Sequence, residues 1–218
     1  MFIGHYSAAL AAKIVKPRVP LWHLFVAVQL VDFAWAVLVL LGVEKVRVVK
    51  GFMPASILDL HYMPYTHSLP ATVLWAVGAG VLYALFWRGE QKLRAGLIIG
   101  AAVASHWLLD LIAHGPDLLL YSGGPKVGFG LWDSLLWTQI VEIGSIILGG
   151  ILYILATKPK GRLGMIAPVL LLAFMIALQA YNHLPIDHPP AVPQFALTAL
   201  AGYTLLAVLA WLTDRTRV

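Results

Sequence analysis

The chain has 218 residues, of which 61% are hydrophobic and only 11% charged, with a formal charge of +5. That balance excludes an ordinary water-soluble domain and points to a chain that lies mostly in hydrocarbon. The absence of cysteine excludes disulfides and thiolate metal sites. The basic residues sit between apolar runs with no patch of interleaved aromatics, so they speak for lipid headgroups and not for nucleic acid.

Residues 1–15 are apolar but too short to span, since a crossing takes about 20 residues. They hold His5 after Gly4 and lead to Lys13, Lys16 and Arg18, with Pro17 and Pro20 as breakers. A half-helix with a buried start, emerging at Lys13, is predicted. The pattern of a cleaved signal peptide is absent. Six spans follow, at 21–43, 68–87, 95–114, 132–156, 163–184 and 192–213. A polar loop is expected over 44–66 and a glycine-rich one over 115–131, where Gly115-Pro116 stops the third span. No repeat, low-complexity tract or linker divides the chain. The predicted fold class is therefore all-α: one polytopic membrane bundle over residues 1–218, with about six transmembrane helices plus the half-helix.

Eleven basic residues fall on one side of these spans: Lys13, Lys16, Arg18, Arg88, Lys92, Arg94, Lys158, Lys160, Arg162, Arg215 and Arg217. Four fall on the other: Lys45, Arg47, Lys50 and Lys126. The positive-inside rule puts both termini in the cytoplasm and the loops 44–66, 115–131 and 185–191 outside.

Ionisable residues inside the spans are costly unless paired or bound to metal. His106, Asp110 and His114 recur at i, i+4 and i+8, which aligns them on one helix face. At ~1.5 Å of rise per residue, Asp32 and Glu142 reach mid-membrane depth, His67 stands at the outer mouth of the second span, and His5 points toward the centre. Five segments thus aim an ionisable group at one polar cavity. His23, His183 and His188 are expected to be structural, and His61 is ambiguous. Trp22, Trp87, Trp132 and Trp211 have the positions of interfacial anchors, and Gly78, Gly80, Gly149 and Gly150 those of close-packing contacts.

Pro64-Tyr65-Thr66-His67-Ser68-Leu69 resembles the "[Tyr/Phe]-[Ser/Thr]-His-Ser-Leu" signature of the YdjM-like membrane-bound metal-dependent hydrolases. Gly4-His5-Tyr6, Gln29-Leu30-Val31-Asp32, Ser105-His106-Trp107-Leu108-Leu109-Asp110 and Gly130-Leu131-Trp132 fit the same family in the same order, from Met1 to Glu142. The resemblance implies that His5, Asp32, His67, His106 and Asp110 surround metal, in a bacterial inner-membrane protein. His114 and Glu142 join them on position alone, and Asp32, His114 and Glu142 are the expected catalytic groups. The chain departs from the family at Val31, where proline is usual, which predicts an unbroken helix at Asp32. A fainter similarity, a His-x-x-x-Asp helix plus an N-terminal ligand, links the chain by analogy to zinc-dependent phospholipase C and its nuclease relatives.

A His/Asp/Glu set without cysteine favours Zn²⁺ or Mn²⁺ over Mg²⁺, with ligands enough for two ions. Ions at that depth predict hydrolysis of a phosphoester or related ester in a membrane lipid or lipid-linked substrate by activated water. The sequence has no His-Glu-x-x-His and no evident Ser-His-Asp arrangement, which argues against a zincin-type protease or a serine hydrolase. Two rival expectations use the same polar seam: a metal-ion or small-solute transporter, which the lack of repeat halves or broken-helix pairs disfavours, and a non-catalytic scaffold.

Overall fold

A computed structural model describes residues 1–15, 19–121 and 123–218. Lys16, Pro17 and Arg18, predicted to follow the half-helix, lie outside the described residues, as does Ser122 of the glycine-rich loop. The half-helix is α1 (His5–Ala11), extended by a 3-10 turn (Ala12–Val15). Then come α2 (Leu21–Val28) and α3 (Leu30–Leu40), a hairpin of β1 (Lys45–Met53) and β2 (Ser56–Tyr62), and α4 (Leu69–Phe86) with α5 (Lys92–Ala113). A small ribbon of β3 (Leu118–Leu119) and β4 (Lys126–Val127) precedes α6 (Leu135–Ala156), α7 (Arg162–Asn182) and α8 (Val192–Arg215).

Among the described residues, five helices are long and apolar enough to cross a membrane, or six if the bent pair α2 and α3 is one span. Polar caps set the starts. Ser68 accepts the Ala71 amide at 3.3 Å and donates to the Pro64 carbonyl at 2.7 Å, so α4 begins at Leu69. Ser134 similarly accepts from Trp137, and the span predicted from 132 begins at Leu135 after a 3-10 turn (Leu131–Asp133). The outer faces remain apolar: Leu74, Phe86 and Leu155 are each more than 70% exposed, a surface suited to hydrocarbon and not to water.

Two expectations are corrected. The first span is not continuous: α2 and α3 meet at 51°. Gln29 leaves helical geometry there (φ −105°, ψ 4°) and its side-chain amide donates to Asp32 Oδ2 at 3.0 Å. Polar partners hold this break without proline. The second correction is to the all-α class, because residues 44–66 contain an antiparallel hairpin where a loop was expected, with Val48 opposite Leu58. Along Lys45-Val46-Arg47, only the valine is buried, the alternation of a half-buried strand. At the tip, Ala55 donates its amide to the Trp132 carbonyl at 3.0 Å.

Small residues bring backbones together. A Cβ on Gly80 would lie 2.8 Å from the Gly96 carbonyl oxygen of α5, and one on Gly149 would lie 2.8 Å from the Ser7 carbonyl oxygen of α1. Gly150 likewise faces Leu172. Gly78 does not share the role predicted for it, since a Cβ there meets nothing within 4 Å.

The two ends of the bundle differ. At one, Asp214 takes Lys13 Nζ at 3.1 Å, the Leu21 amide at 2.9 Å and the Tyr153 hydroxyl at 3.1 Å. Arg217 donates there to the carbonyls of Ile154 and Thr157, which tie off the end of α6. At the other end, the hairpin, Trp132 and the turn after α7 enclose a cavity.

Candidate metal centre

Asp110 is the hub. It lies on the buried face of α5, one turn after His106 and one turn before His114, and all three are nearly inaccessible. Its Oδ1 lies 3.1 Å from His5 Nε2 and 3.4 Å from His114 Nε2, and its Oδ2 lies 3.0 Å from His106 Nε2 and 3.7 Å from His67 Nε2. Asp32, one turn past the break, places Oδ1 3.2 Å from His67 Nε2 and 3.5 Å from His106 Nε2. Its Oδ2 accepts from Gln29 and, at 3.2 Å, from the Tyr203 hydroxyl of α8. All five residues implied by the resemblance therefore meet, with His114 beside them.

The imidazoles are aimed from behind. His106 Nδ1 lies 2.7 Å from the Val28 carbonyl, at the end of α2 where the helix breaks. His114 Nδ1 lies 2.9 Å from Asp117 Oδ1, and His67 Nδ1 lies 2.7 Å from Thr66 Oγ1. Each of these three Nδ1 atoms thus has a partner able to accept its proton, and each Nε2 faces the carboxylates, the usual orientation of metal-ligating histidine. Ring packing restricts rotation as well. His5 stacks on His106 with centroids 3.9 Å apart, and Trp132 packs on His114 at 4.2 Å. Trp132 is therefore a wall of the site and not the interfacial anchor predicted from its position.

The donor set fits a cation. His5 Nε2, His106 Nε2 and Asp110 Oδ2 are buried, and despite their short separations none has a hydrogen-bond partner. Polar atoms in that condition are rare unless an ion or water joins them. Two groups could hold a metal ion, His5/Asp32/His106 and His67/His106/Asp110, each with its ligand atoms within 4.8 Å of one another. Because His106 Nδ1 is spent on Val28, its single free nitrogen serves one ion at a time, so the groups are not two independent sites.

Glu142 lines the cavity beside Asp110 and His114 and also holds the N-terminal segment. Its Oε2 accepts the amides of Phe2 at 2.9 Å and Gly4 at 3.1 Å, which clamps the segment before α1 and carries His5 to the hub. The Met1 amino group is itself buried, 2.7 Å from Asp110 Oδ1. The segment before α1 is therefore buried inside the bundle, as predicted for the half-helix. The other histidines stand apart. His23 pairs with Tyr83, His61 lies on β2 beside Asp59, and His188 is exposed. His183, bonded to the Gln179 carbonyl, borders the cavity.

That cavity, of about 400 Å³, starts at Asp32, His67, Asp110 and His114 and runs beneath the hairpin between apolar walls that include Trp35, Met53 and Phe195. Sequence reasoning passed over Tyr203, Asp117 as a partner of His114, and Glu44, which backs Thr66. The Asp117 pairing had a signal, its i+3 spacing from His114 across the Gly-Pro stop. Comparison with known proteins adds no family: no protein-family profile, curated protein or solved structure matches the chain.

Proposed function

We propose that this chain is a polytopic membrane protein and a metal-dependent hydrolase that cleaves a phosphoester or related ester in a lipid or lipid-linked substrate. The observation that carries this reading is the convergence of four imidazole Nε2 atoms on the buried Asp110 and the partly buried Asp32 at the floor of an apolar-walled cavity. A nitrogen and oxygen set without sulfur suits Zn²⁺ or Mn²⁺, and a divalent charge offsets the burial of Asp32 and Asp110. The resemblance to the YdjM-like hydrolases points the same way. The charge count favours a cavity that opens to the outer side of a bacterial inner membrane.

His5, Asp32, His67, His106 and Asp110 would hold the ion, which supplies Lewis acidity and activates water near neutral pH. His114 stands at the cavity edge with Nε2 3.4 Å from Asp110 Oδ1 and Nδ1 on the Asp117 carboxylate, the pairing that orients an imidazole as a general base. Its role is to take the proton of the attacking water and return it to the leaving oxygen. Tyr203 and Gln29 hold Asp32 Oδ2, so that Oδ1 is the oxygen directed at the imidazoles. The walls exclude water and accept the apolar part of the substrate. In this reading Glu142 is a holder of the N-terminal segment and not the catalytic group expected from its depth.

One observation favours a second reading. Broken helices are common in carriers, and α2 and α3 form one, so a transporter remains the rival. Proteoliposomes separate the two. The hydrolase releases a headgroup product from phospholipid or a lipid-linked phosphate when Zn²⁺ or Mn²⁺ is supplied, and chelation stops it. Metal or solute flux without any product would overturn the hydrolase in favour of the carrier.

A further inference from the structure

We propose that Glu44 and Thr66 form a positioning relay that decides which nitrogen of His67 faces the centre. The inference rests on the cluster being a metal centre, and it adds two residues that hold no ion themselves. Glu44 follows α3 at the base of the hairpin and is 1% exposed. Its Oε1 accepts the amides of Tyr65 at 2.8 Å and Thr66 at 3.0 Å, and its Oε2 lies 2.6 Å from Thr66 Oγ1. Thr66 Oγ1 lies in turn 2.7 Å from His67 Nδ1.

The donor count along this chain leaves one arrangement. A carboxylate only accepts, and a hydroxyl has one proton to give. Thr66 gives that proton to Glu44, so toward His67 its oxygen can only accept. His67 Nδ1 must then carry a proton, which leaves Nε2, 3.2 Å from Asp32 Oδ1, as the nitrogen that a cation would take. For His106 and His114 the same result follows directly from a carbonyl and a carboxylate, neither of which can donate. His67 alone is backed by a hydroxyl, which could serve either tautomer, and Glu44 removes that freedom. The two amide bonds also tie the turn before α4 to the end of α3, across 21 and 22 residues of hairpin. His67 and Asp32 are thereby brought to the hub from separate elements through one buried carboxylate.

Glu44→Gln tests the relay with little change of shape. The amide oxygen can still take the Tyr65 and Thr66 amides, while its NH₂ faces Thr66 Oγ1 and turns the hydroxyl proton toward His67. The ring proton then moves to Nε2 and blocks the ligand position. Thr66→Val deletes the relay at nearly constant volume, and Thr66→Ser restores it. Zn²⁺ affinity is measured by chelator competition, and the His67 tautomer by imidazole ¹⁵N NMR of metal-free protein. Glu44→Gln and Thr66→Val should each weaken Zn²⁺ about 10–100-fold, the usual cost of losing a ligand's supporting bond, with Thr66→Ser near wild type. Metal-free wild type should show a proton on His67 Nδ1, and Glu44→Gln should lose it. Unchanged affinity, or weakened affinity with an unchanged tautomer, overturns the relay while the metal centre stands. Wild type that binds no Zn²⁺ overturns the metal centre, and the tautomer shift still decides the relay. If Glu44→Gln does not fold, the contrast of Thr66→Val with Thr66→Ser decides it.

Discussion

Single residues divide here into those that face the hub and those that hold a neighbour in place. Depth alone does not assign Glu142 a role: it lines the cavity and also holds the N-terminal segment. Its level in α6 suggested chemistry, yet its Oε2 is committed to the amides of Phe2 and Gly4. Glu142→Ala would leave the buried Gly4 amide without its acceptor, at a cost of about 1–3 kcal/mol, and would free the segment that carries His5. Thermal unfolding in detergent should fall by several degrees and Zn²⁺ affinity should drop, whereas Glu142→Gln, which keeps an acceptor oxygen, should retain most of both. Equal loss in the two variants would show that Glu142 acts through its charge and not as a clamp. The i, i+4, i+8 row on α5 was legible because helical spacing puts such residues on one face. Glu44 was not, because its partner lies 22 residues away across a hairpin. A lone tyrosine in an apolar helix carries no signal either, which hid Tyr203.

Among the elements, the long helices could be read from apolar length, with the serine-capped α6 starting later than predicted and α5 starting earlier, at Lys92. The break at Gln29 could not be read from proline, since none is present there. It is held by a side-chain bond to Asp32, and its Val28 carbonyl is paired with His106 from another helix. The hairpin carried an alternating signal in Lys45-Val46-Arg47, but its charge made it resemble a loop. For α1, the decisive feature is a glycine on its neighbour. Gly149 lets the Ser7 backbone approach α6, where any Cβ would already be 2.8 Å from a carbonyl oxygen. Gly149→Leu should push α1 away and lower metal binding, as His5→Ala also should, while Gly78→Leu, with open space around it, should leave binding unchanged. Metal titrations of the two glycine variants check this, and matched behaviour would contradict the seating of α1 on α6.

At the scale of the molecule, the bundle is polarised. One end is sealed by Asp214 and Arg217 with the basic segments around them, and the other is roofed by the hairpin over the cavity. The hub between them joins side chains from α1, α3, α5 and the turn before α4, which explains why a linear motif covers so little of it. The central claim is that this hub binds metal. Its most direct test is elemental analysis of the purified, detergent-solubilised protein beside Asp110→Asn, which keeps the side-chain shape but removes the charge shared by four imidazoles. The account predicts Zn or Mn at about one ion per chain in wild type, since His106 offers one free nitrogen, and a clear loss in a folded Asp110→Asn. Wild type free of metal even after incubation with Zn²⁺ or Mn²⁺, or an Asp110→Asn variant that retains its full complement, would contradict it.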